Sequence, residues 1–68
     1  MNEESLNQSM RQFLKHVGVS SQREIEKAVA AANAGGSIAG KETFPATMTL
    51  RIAGLNLEVQ FDGEIRLE

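Results

Sequence analysis

Residues 46–67, ATMTLRIAGLNLEVQFDGEIRL, decide the fold, because apolar side chains recur there at every second position. Met48, Leu50 and Ile52 alternate with Thr47, Thr49 and Arg51. Leu55, Leu57, Val59 and Phe61 alternate with Asn56, Glu58 and Gln60, and Ile65 and Leu67 alternate with charged residues. A period of two puts each apolar set on one face of a strand, so this half predicts a three-stranded antiparallel meander. Opposed residues of an antiparallel pair point to the same face, which constrains the loops. A two-residue Asp62-Gly63 turn would split the apolar sets. A three-residue loop, Phe61-Asp62-Gly63, keeps them together and sets Val59 opposite Ile65 and Leu57 opposite Leu67. Around Ala53-Gly54, a two-residue loop and a four-residue loop from Ala53 to Asn56 both preserve phase. The four-residue loop pairs Ile52 with Leu57 and Leu50 with Val59.

Upstream the period changes. Leu6, Met10, Phe13, Leu14 and Val17 have the spacing of one helical face, with Asn2 as a cap and Glu3 and Glu4 at the positive end of the dipole. Gly18 reads as a stop in the left-handed conformation, with Lys15 and His16 in the last turn before it. Ser21 and Glu24 read as a capping box that starts a second helix, whose stripe is Ile25, Ala28, Val29 and Ala32. The glycine-rich segment 35–45 reads as a joint, and Pro45 as the entry to the strands.

Length and composition narrow the class. A chain of 68 residues buries only about 60% of the surface it exposes when unfolded. It has no cysteine and a single histidine, which removes disulfide and zinc staples and leaves self-association as the ordinary route to stability. The 41% hydrophobic content argues for a folded chain. An acidic start, Met1-Asn2-Glu3-Glu4, and the lack of an apolar run near the roughly 20 residues of a membrane span predict a soluble cytoplasmic protein. Residues 1–34 carry balanced charge, and residues 35–68 account for the net charge of -2, so no basic footprint for nucleic acid emerges.

Two motifs invite a functional reading. Gly35-Gly36-Ser37-Ile38-Ala39-Gly40-Lys41 matches the first seven positions of a phosphate-binding loop, but a helix precedes it, Glu42 stands where Ser or Thr should hold magnesium, and strands follow. The Gly18-Val19-Ser20 corner suggests a helix-turn-helix, yet Glu24 and Lys27 occupy positions that such a motif buries. His16 has no nucleophile and orienting acid to serve, and Asp62 and Glu64 are too few to hold a cation. No catalytic, cofactor or metal site is predicted.

Gly18 to Ala28, GVSSQREIEKA, followed by Met48-Thr49-Leu50, Gly54-Leu55 and Asp62-Gly63-Glu64-Ile65, resembles a family of short bacterial proteins of unknown function. The resemblance covers nearly the whole chain and implies no activity, ligand or site residue. Where that family's pattern has proline ahead of Gly54, this chain has Ala53.

The expectation is therefore one α+β domain. A two-helix hairpin at about 3–34 is joined through 35–45 to a three-stranded meander at 46–68, and packs on one of its faces. The expected role is a non-enzymatic homodimeric module that binds an unknown protein or serves a structural purpose. Its dimer or strand-pairing region would be Met48, Leu50, Ile52, Leu57 and Val59, by edge pairing or strand exchange. The alternative is a small nucleic-acid-associated regulator.

Overall fold

The computed structural model describes residues 1–68 as two compact units, Met1–Gly35 and Gly36–Glu68. The first unit is a single helix, α1 (Glu3–Ala34). The second is a two-stranded antiparallel ribbon, β1 (Thr43–Ile52) and β2 (Leu57–Arg66), joined by a short 3-10 turn at Ala53–Leu55. This corrects both halves of the expected architecture. There is no helical hairpin, and there is no three-stranded meander.

The N-terminus of α1 forms as its sequence implies: the Asn2 side-chain oxygen accepts from the Ser5 N–H at 3.0 Å. Gly18 does not stop the helix. Leu14 and Ile25 are eleven residues apart, close to three turns of 3.6, so an unbroken helix keeps both stripes on one face. A break would expose four carbonyls and four N–H groups, whereas glycine within a helix costs only about 1 kcal/mol relative to alanine. Lys15, His16 and Ser21 are therefore mid-helix residues. Glu24, expected to close a capping box, instead pairs with Lys27 at 3.0 Å. The true end comes at Gly35, followed by Gly36 in the left-handed region at φ 75°.

The ribbon corrects the strand assignment. Ile52 pairs with Leu57 and Leu50 with Val59, so the four-residue connection from Ala53 to Asn56 is the one used. Asn56 takes the left-handed conformation, φ 52°, which its short polar side chain tolerates, and its N–H donates to the Ala53 carbonyl at 3.1 Å. Phe61-Asp62-Gly63 is not a loop: Val59 lies opposite Leu50 rather than Ile65, and Gly63 sits within β2 opposite Ala46. Gly63 lacks the positive φ that a glycine supplies at the end of a three-residue hairpin loop. The cause is β1, which begins at Thr43 rather than after Pro45 and offers a ten-residue ladder to an unbroken β2.

Candidate interaction surface

The ladder sorts the ribbon's residues by face. On one side lie the opposed pairs Phe44 and Ile65, Ala46 and Gly63, Met48 and Phe61, Leu50 and Val59, and Ile52 and Leu57. Every member is apolar or glycine. The five residues expected to make the pairing region, Met48, Leu50, Ile52, Leu57 and Val59, are thus gathered on one face. Phe44, Phe61 and Ile65 extend it. Pro45 masks Phe44 in the sequence, although Phe44 shares the parity of Ala46 and Met48. The expected loop at Phe61-Asp62-Gly63 does the same for Phe61.

That face is open. No residue of the chain is buried, and Phe61 remains 57% exposed. On α1 the same holds: Leu14 is 61% and Phe13 51% exposed. Opposed Ala46 and Gly63 are the smallest pair, leaving a notch between the Met48–Phe61 and Phe44–Ile65 rows. A Cβ added at Gly63 would meet nothing within 4 Å.

The other face of the ribbon is polar and mixed in sign. Thr47 donates its hydroxyl to Asp62 at 3.2 Å, and Arg51 pairs with Glu58 at 2.8 Å across the strands. These groups are exposed, so each pair contributes under about 1 kcal/mol. Along α1, one depression is lined by Ser20, Arg23, Glu24, Glu26 and Lys27 and another by Glu4, Asn7, Gln8, Arg11 and Gln12. Each is open to solvent on the side of a single helix, which cannot enclose a ligand. No three or more histidine, aspartate or glutamate side chains converge, and no helix is long and apolar enough to cross a membrane.

The phosphate-loop lookalike is occupied from within. The carboxylate of Glu42 accepts from the N–H groups of Ala39 at 2.9 Å, Gly40 at 2.9 Å and Lys41 at 3.0 Å. Gly40, at φ 88°, makes this turn possible. The Ala39 bond is the main cause holding the Glu42 carboxyl below its ordinary value; desolvation opposes it, and the Gly40 and Lys41 bonds add to it. The N–H groups of Ala39, Gly40 and Lys41, which would face a phosphate in a true P-loop, are already satisfied by the residue standing in the Ser/Thr position.

Neither the curated proteins nor the solved structures contain a match to this chain. A family model matches residues 1–68, and the chain belongs to that family, a family of unknown function, DUF6494.

Proposed function

We propose that this protein is a non-enzymatic homodimeric module of the cytoplasm, serving a structural or protein-binding role, and that its apolar ribbon face contributes to the dimer contact. The observation that carries this reading is the ribbon's apolar face. Its opposed rows are contiguous and remain exposed, with Phe61 at 57% and Met48 at 45%. Contiguous exposed apolar rows, rather than scattered residues, mark an interaction surface. A nucleic-acid role gains no support, since the ribbon's polar face mixes both signs and the loop's N–H donors already hold a carboxylate.

Light scattering across micromolar to millimolar protein tests this. The expected mass is twice 7.4 kDa, falling on dilution. A mass of 7.4 kDa at every concentration contradicts the reading.

A further inference from the structure

β2 has a free edge, and its sequence is complementary to itself. The Leu67 N–H donates to the Glu42 carbonyl at 3.0 Å, one step beyond the Thr43–Arg66 pair in the same register. Hydrogen-bonded and non-bonded pairs alternate along an antiparallel ladder. The odd-numbered residues of β2 therefore bond to β1, and the even-numbered ones, Glu58 to Arg66, turn their N–H and C=O groups outward. On β1 the outward set is odd-numbered and includes Pro45, which has no N–H to offer. One edge of the ribbon is blunted by proline and the other is not.

We propose that two copies join along their β2 edges, antiparallel about a two-fold axis at Asp62, to form a four-stranded sheet in the order β1-β2-β2-β1. The proposal rests on the homodimer reading and adds its geometry. In this register Glu58 lies opposite Arg66 of the partner copy, twice by symmetry, while Gln60 faces Glu64. Sliding the strands so that Phe61 faces itself would instead set Glu58 against Glu64 twice. Sliding the other way, to centre Gly63, would set Asp62 against Glu64 twice. The chosen register puts only one like-charged pair, Asp62 with its copy, on the axis.

The apolar face supports the same register. Val59 falls opposite Ile65 of the partner copy, Leu57 opposite Leu67, and Phe61 opposite Gly63. The aromatic ring then has open space to lie over, since nothing stands within 4 Å of a Cβ built on Gly63. The near-palindrome centred on Asp62, which mimics a hairpin in sequence, here pairs two chains instead of folding one. The two apolar faces merge into one continuous surface, and the ion-pair row extends from Arg51 through Glu58 to Arg66 of the partner copy.

A mixed sample of isotope-labelled and unlabelled chains, with nuclear Overhauser contacts filtered for pairs between copies, tests the register. Hα contacts between Val59 and Ile65 and between Phe61 and Gly63 are expected. Within one strand the first pair is about 20 Å apart, so that contact can arise only between chains. A dimer lacking these contacts overturns the edge pairing but leaves the homodimer reading intact; a monomer at all concentrations removes both. Charge reversal supplies a second measurement. Glu58→Arg and Arg66→Glu should each weaken the dimer about tenfold. An equimolar mixture of the two should form the heterodimer preferentially by native mass spectrometry, because each chain then meets an opposite charge. Statistical mixing of the two variants would contradict the proposal.

Discussion

α1 and the β1–β2 ribbon each present a complete apolar face, but they hold their shape by different means. α1 closes its hydrogen bonds locally over 32 residues, well beyond the about 12–15 below which isolated helices are marginal. The ribbon has only two strands, and such a hairpin is marginal in water without further strands or a packed helix. Local bonding makes the helix tolerant of its weak centre at Gly18, Ser20 and Ser21. On the proposed reading, cross-strand bonding makes the ribbon the half that needs a partner.

The largest effect should follow from attacking that dependence. Leu50→Lys puts a charge beside Val59 on the apolar face and removes one of that face's opposed apolar pairs. Ribbon amide dispersion and the dimer should both be lost, while the helical circular dichroism of α1 persists. Thr49→Lys, on the polar face, should stay within about 0.5 kcal/mol of the parent. Equal loss from both substitutions would mean that the two faces do not differ as described.

The helix gives smaller effects of opposite sign to those expected of a broken one. Gly18 is mid-helix with no positive φ and nothing within 4 Å of an added Cβ. Gly18→Ala should therefore raise helix stability by about 1 kcal/mol in a thermal melt. Ser21→Ala should raise it by about 0.5 kcal/mol, whereas loss of a cap would lower it by about 1 kcal/mol. Destabilisation by both would restore the two-helix reading.

These tests bear on what the sequence made legible. Both amphipathic periods, the Asn2 cap and the end at Gly35 and Gly36 could all be read. Gly18 and Gly63 read as punctuation, and neither breaks its element. At neither does the pattern lose phase: Leu14 to Ile25 spans three helical turns, and Phe61, Gly63 and Ile65 keep a period of two. The real ribbon turn lies where parity changes, between Ile52 and Leu57. A glycine breaks an element when the apolar phase also breaks. The Glu42 contact was invisible for another reason, because it depends on the backbone conformation at Gly40 rather than on any spacing of residue types.

The smallest effect concerns that loop. Since its folded pKa is depressed, the order that Glu42 imposes is present at neutral pH and lost as pH falls through that lowered value. Its titration midpoint should lie below 4.5, and the amide shifts of Ala39, Gly40 and Lys41 should follow it. Glu42→Gln should abolish that titration and leave α1 unchanged. Magnesium and ATP should shift none of residues 35–41 specifically, and saturable shifts confined to them would show the loop binding phosphate after all.

Residue-resolved hydrogen exchange tests the partnered ribbon most directly, because the ladder already divides its amides into inward and outward sets. At millimolar concentration the outward amides of β2, at Gln60, Asp62 and Glu64, should be protected, and those of β1, at Thr47, Thr49 and Arg51, should exchange freely. Dilution to micromolar should strip the β2 protection first. Equal, rapid exchange of both outward sets at every concentration, with the inward amides still protected, would show a ribbon that stands without a partner at its edge and contradict the account.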